Sequence, residues 1–118
     1  MDVLVDTDVF VDHLRGAHAF RGRRDRISYS VVTRCELFAG LSTEELQVAK
    51  LLAPFIELPV DRSVAERAGR LRRVSSVRTP DALIAATAMV HGLTLITRNL
   101  ADFSHVRGLR VRAPRANS

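Results

Sequence analysis

Thr79-Pro80-Asp81-Ala82-Leu83-Ile84-Ala85-Ala86-Thr87-Ala88-Met89-Val90-His91-Gly92 reads as a helix with both ends marked. Thr79 is a good N-cap, and the residue before a proline is pushed out of the helical region in any case. Pro80 suits the first helical position, where a missing N–H is no loss. Gly92 suits the left-handed residue that closes a helix. Three, four and seven residues on from Asp81 stand Ile84, Ala85 and Ala88, so a small, apolar face carries a carboxylate at its head. The helix dipole alone explains an acid in a first turn. What Asp81 does therefore depends on what the rest of the chain brings to that end.

Outward from this helix, short apolar runs alternate with helical patterns. Val3-Leu4-Val5 predicts a buried strand ending at Asp6. Thr7 or Asp8 then caps a helix to about Arg15, with Val9, Phe10 and Leu14 toward the core. The Gly/Arg-rich piece from Gly16 to Arg26 is a loop or a poorly ordered helix. Ile27 to Ser30 reads as a second strand and Val31 to Gly40 as a helix, with Thr33 an alternative start. Ser42-x-x-Glu45 is a capping box opening a helix to about Leu52, and Phe55 to Leu58 is a third strand. Asp61 opens a helix with Val64, Ala68 and Leu71 inward. Its other face, Arg62, Glu66, Arg67, Arg70 and Arg73, reads as a solvated surface with i,i+4 pairs. A fourth strand, Thr94 to Thr97, and a fifth near Leu109 to Val111 complete the pattern. Strands alternating with helices predict a three-layer α/β/α sandwich over a mostly parallel sheet. It forms one domain over residues 1–113, and the tail from Pro114 to Ser118 frays.

A chain of 118 residues that is 47% hydrophobic can build one core but not two. No apolar run reaches the length that spans a bilayer. Met1-Asp2-Val3-Leu4-Val5-Asp6 lacks a basic n-region and predicts no signal peptide. The single cysteine, Cys35, cannot form an internal disulfide, in keeping with a cytoplasmic location, and is expected to be a small buried hydrophobe on a helix. The net charge is +5, and Lys50 is the only basic residue that is not arginine. Such a balance favours a polyanion. With one tyrosine and no tryptophan, a nucleic acid would be held by its phosphates, not by stacking of its bases. His13, His18, His91 and His105 have no metal-ligand spacing and suit surface or capping roles.

Five polar side chains fall where an α/β fold gathers reactive groups, beyond the carboxyl ends of its strands. Asp6 closes the first strand, Asn99 and Asp102 follow the fourth, and Asp81 heads the helix leading into it. Glu36 lies on the helix after the second strand, on a face with Val32 and Ala39. Each has an ordinary explanation as a cap, turn or surface residue. Together they describe carboxylates converging in one crevice, where each raises the others' pKa values. A hard divalent cation resolves that repulsion, and oxygen ligands without a Cys or His cluster point to Mg²⁺ or Mn²⁺. A magnesium ion that keeps several waters can activate one for attack on a phosphodiester.

The order Val3-Leu4-Val5-Asp6-Thr7, Cys35-Glu36-Leu37-Phe38-Ala39-Gly40, Pro80 to Ala88 and Leu95-Ile96-Thr97-Arg98-Asn99-Leu100-Ala101-Asp102-Phe103 resembles a PIN domain. Within that superfamily it is similar to the VapC toxins of VapBC toxin–antitoxin modules. The resemblance runs from Met1 to about Arg112 and implies a Mg²⁺-dependent endoribonuclease (Mn²⁺ a substitute), a homodimer, and a VapB-like antitoxin that blocks the site. Carried over by position, Asp6, Glu36 and Asp81 match the family's three central acids. Asn99 stands where some relatives carry an acid, and Asp102 follows it, so the fourth position is shared between them. Thr97 matches the polar residue near the metal, Thr7 is placed to orient Asp6, and Arg98 is placed to hold the RNA backbone. The connection from Arg73 to Arg78 is short for the family.

Two other readings compete. Asp6-Thr7-Asp8-Val9 also resembles the first motif of haloacid-dehalogenase-type phosphatases, which need a lysine further on; Lys50 lies mid-helix. Alternatively, Asn99 in place of an acid fits a PIN-like module that binds RNA or protein with a weakened site.

Overall fold

In the computed structural model, which describes residues 1–20, 25–40 and 44–115, Val3, Leu4 and Val5 are all buried. A strand covered on both faces has this pattern, and parallel sheets are covered on both. The elements are β1 (Asp2–Val5), α1 (Thr7–Leu14), β2 (Arg26–Ser30), α2 (Val31–Phe38), α3 (Glu45–Leu52), β3 (Ile56–Leu58), α4 (Arg62–Val74), α5 (Thr79–Val90), β4 (Thr94–Ile96), α6 (Leu100–Phe103) and β5 (Val111–Arg112). The strands lie in the order β3-β2-β1-β4-β5. Every pairing among the described residues is parallel, with Leu4 opposite Ser28 on one side and Leu95 on the other.

Strand alternation divides the core into two layers. Val3, Val5, Ile27, Tyr29 and Ile96 pack with Val9 and Phe10 of α1, Leu37 of α2, and Val48 and Leu52 of α3. Leu4 and Leu95 face the other way, against Val64, Ala68 and Leu71 of α4 and Ile84, Ala85 and Ala88 of α5. This is the predicted α/β/α sandwich. No described helix is long and apolar enough to cross a membrane.

Helix ends depart most from expectation. Asp6 caps α1, taking the Thr7 N–H on its own carboxylate, so neither Thr7 nor Asp8 is the cap. Leu14 is 39% exposed at the end of that helix and does not join the core. Ser30 caps α2 by accepting the Val32 N–H at 3.0 Å. Glu44 occupies the N-cap of α3 without a side-chain bond. Ser42 of the predicted capping box lies outside the described residues, as do 21–24 of the Gly/Arg-rich connection and 116–118 of the tail. Arg78, not Thr79, caps α5, because the Ala82 N–H already closes the first turn on the Arg78 carbonyl at 2.8 Å. Thr79 and Pro80 are then the first two helical residues.

The other end of α5 behaves as read. Gly92 takes φ +66°, its N–H bonds the Met89 carbonyl, and the Leu93 N–H returns to Ala88 at 2.8 Å, a Schellman closure. Asp61 caps α4 through the Val64 N–H at 2.9 Å. The short helix α6 falls in a stretch read only as following a strand. Cys35 is exposed, contrary to expectation, because Thr33 and Leu37 are the buried residues of α2.

Candidate active site

The chain builds outward from β1 to β2 and β3, then returns to lay β4 and β5 on the opposite side. The carboxyl ends of β1 and β4 therefore border the crevice at the switch in strand order. Asp6 leaves β1 there and Thr97 leaves β4. The Thr97 hydroxyl donates to Asp6 Oδ2 at 2.8 Å and lies 3.3 Å from Asp8 Oδ2. The Thr7 N–H reaches Asp6 Oδ1 at 2.8 Å, so the carboxylate of a residue only 4% exposed is held at both oxygens, while the Asp6 backbone N–H is anchored on the Ile96 carbonyl at 2.9 Å.

A second hydroxyl links α1 to α2. Thr7 Oγ1 lies 2.7 Å from Glu36 Oε1 and 3.0 Å from Thr33 Oγ1. A hydroxyl has one proton and a carboxylate only accepts, so Thr7 donates to Glu36 and receives the proton of Thr33. Thr33 is fully buried and sits three residues before Glu36, on the same face of α2. The expected partner of Thr7 was Asp6; its backbone serves Asp6 and its hydroxyl serves Glu36.

Electrostatics tie the remaining acids to these two. Burial pushes the Asp6 carboxyl up from 3.8 to about 7, the neighbouring charge of Asp8 adds to this and Asp81 adds a little more, while the Thr97 and Thr7 hydrogen bonds oppose it. Burial likewise raises Asp81, followed by the charges of Glu36 and Asp102, against the opposing pull of Arg78. Asp8 is raised by burial and held down by hydrogen bonds from the Arg98 backbone and Thr97. Asp6, Asp8, Glu36, Asp81 and Asp102 thus act on one another across α1, α2, α5 and α6.

Asn99 and Asp102 share one turn. Asn99 gives its backbone N–H to Thr97 Oγ1 at 3.0 Å, and Asp102 supplies the charge that reaches Asp81. The Arg98 guanidinium is paired with Asp12 at 2.6 Å. Sequence reasoning missed Asp8, Asp12 and Thr33 as members of this network. The spacing of Asp6-Thr7-Asp8 carried a signal for the first, which was weighed only for a phosphatase. The phosphatase motif has no support here, since Lys50 is exposed on α3.

The donors suit a hard cation: every candidate ligand is a carboxylate, amide or hydroxyl oxygen, and several are raised by crowding and burial. Among the described residues no three His, Cys, Asp or Glu side chains stand grouped as a ready chelate. Glu36 and Asp102 are exposed, Glu36 with its Oε1 on the Thr7 hydroxyl at 2.7 Å.

Residues 3–109 match the PIN domain family. Ribonuclease VapC10 of Mycobacterium tuberculosis is 42% identical over 113 residues, covering 86% of this chain and 85% of that protein. Among solved structures, a toxin–antitoxin complex from Klebsiella pneumoniae superposes with a TM-score of 0.77 at 30% identity, over 96% of this chain and 98% of that one. VapBC2 from Rickettsia felis, solved with a fragment of promoter DNA, shares the fold with a TM-score of 0.83 at 19% identity, over 98% and 100% of the two chains.

Proposed function

This chain belongs to the PIN domain family, and from that membership we propose that it is a VapC-type ribonuclease toxin, a Mg²⁺-dependent endoribonuclease. The observation that carries this reading is the acidic crevice itself. Asp6, Glu36 and Asp81 come from three separate elements to one strand-order switch, inside a chain of net charge +5. Asp6, Glu36 and Asp81 would hold Mg²⁺, with Asn99 or Asp102 completing the set and Mn²⁺ able to substitute. When bound, the ion offsets the crowded negative charge and lowers the pKa of water for in-line attack on a phosphodiester.

The chain's own residues prepare that chemistry. Thr97 fixes the Asp6 carboxylate at 2.8 Å, and Thr7 fixes Glu36 at 2.7 Å with Thr33 behind it. Fixed acceptors lose little freedom when they close on a cation. Arginines around the mouth would hold the RNA backbone through its phosphates, Arg98 among them. The solved relatives named as toxin–antitoxin complexes support a VapB-like antitoxin as partner. A homodimer and a cytoplasmic location complete the proposal.

Cleavage of total cellular RNA by the purified protein tests the reading. Discrete fragments are expected with Mg²⁺, and none with EDTA or with Asp81→Asn. RNA bound but never cut would favour the second reading, a weakened binding module, for which Asn99 at the fourth position speaks.

A further inference from the structure

We propose that Asp8 is a positioning residue of this site: with Asp12 one helical turn on, it clamps Arg98 and so fixes the turn that presents Asn99 and Asp102. The Arg98 N–H has no backbone acceptor among the described residues. It points instead to the Asp8 carboxylate, 3.1 Å from Oδ2 and 3.4 Å from Oδ1. The same Oδ2 lies 3.3 Å from the Thr97 hydroxyl. Four residues on along α1, Asp12 takes the Arg98 guanidinium at 2.6 Å. One face of α1 thus grips both the backbone and the side chain of a single residue.

Beyond the clamp, the far end of the turn is anchored by Phe103, 1% exposed in the core. Asn99 caps α6 without a side-chain hydrogen bond, and α6 spans only Leu100–Phe103. Among the described residues, the turn's other hydrogen bond to the crevice is the Asn99 N–H on Thr97 Oγ1. Asp8 therefore works on the site through the backbone, as an acceptor, and an amide oxygen can accept the same N–H. A residue holding a cation by its charge has no such substitute. Asp6 and Asp8 share the Thr97 hydroxyl, but Asp6 takes the Thr7 N–H and Asp8 takes that of Arg98.

The proposal rests on the nuclease reading only for its effect on cleavage, so the decisive readout is taken without RNA. Amide hydrogen exchange is followed by NMR in the metal-free parent, Asp8→Asn and Asp8→Ala, and Mg²⁺ affinity is measured by calorimetry. Asp8→Ala is expected to speed exchange at Arg98 and Asn99 about tenfold, the effect of losing one charge-assisted hydrogen bond, while β1 and α5 stay protected. Its Mg²⁺ affinity falls about tenfold, as for other outer-shell partners. Asp8→Asn stays within about threefold of the parent in both, because the acceptor survives. Unchanged exchange at Arg98 in Asp8→Ala would overturn the clamp. So would an Asp8→Asn variant with parental exchange whose Mg²⁺ binding is as poor as that of Asp8→Ala, since Asp8 would then act through its charge. A parent that cuts no RNA yet shows the expected exchange pattern counts against the nuclease and supports the clamp.

Discussion

Asp6 is buried beside Asp8, and that placement governs the pH response of the metal-free protein. Its folded-state pKa, about 7, stands above the ordinary 3.8, so the folded chain holds the proton more tightly than the unfolded one. The resulting stability is complete below the unfolded value and is lost as pH rises through the folded one. Metal-free protein is therefore expected to melt at a higher temperature near pH 5 than near pH 8, with a contribution on the order of a few kcal/mol, and Asp6→Asn flattens the dependence. Calorimetric melts across that range check it. Because protons and cation compete for the same oxygens, Mg²⁺ affinity should climb as pH rises through about 7, which a calorimetric titration reads directly. Asp6, Glu36 and Asp81 are legible from sequence because each is a carboxylate set against apolar neighbours. Thr33 is not, since a buried threonine that serves a glutamate through a second hydroxyl leaves no pattern along the chain.

At the scale of elements, the apolar periodicity of α4 and α5 picks out buried positions, Val64, Ala68 and Leu71, then Ile84, Ala85 and Ala88, but α5 also buries Ala82, Ala86 and Thr87 off that stripe. Caps are less legible, because several residue types compete within two positions and tertiary contacts choose among them. The structure separates them by energy. Asp61→Ala removes a side-chain cap of α4 and should lower stability by about 1 kcal/mol. Thr79→Ala removes no capping bond from α5 and should change stability by less than about 0.5 kcal/mol. Chemical denaturation of the two variants side by side distinguishes the caps. Gly92→Ala meets no atom within 4 Å but must hold φ +66°, so its loss of about 1 kcal/mol is pure backbone strain.

For the whole molecule, alternation of strands and helices implies the layers, but not which strands are neighbours. That order depends on β4 returning to the free side of β1, a contact between residues some ninety positions apart along the chain. This return sets Thr97 against Asp6 and makes a crevice from separate acids. The central claim is that carboxylate crowding there is relieved by a cation, and melting temperatures of the parent and Asp81→Asn, each with EDTA and with Mg²⁺, test it most directly. Saturating Mg²⁺, about a hundredfold above its dissociation constant, should stabilise the parent by about 2.7 kcal/mol, a rise of several degrees. Metal-free Asp81→Asn should melt at or above the metal-free parent, and Mg²⁺ should add little to it. A metal-free mutant melting below the metal-free parent, or a parent indifferent to Mg²⁺, would contradict the account.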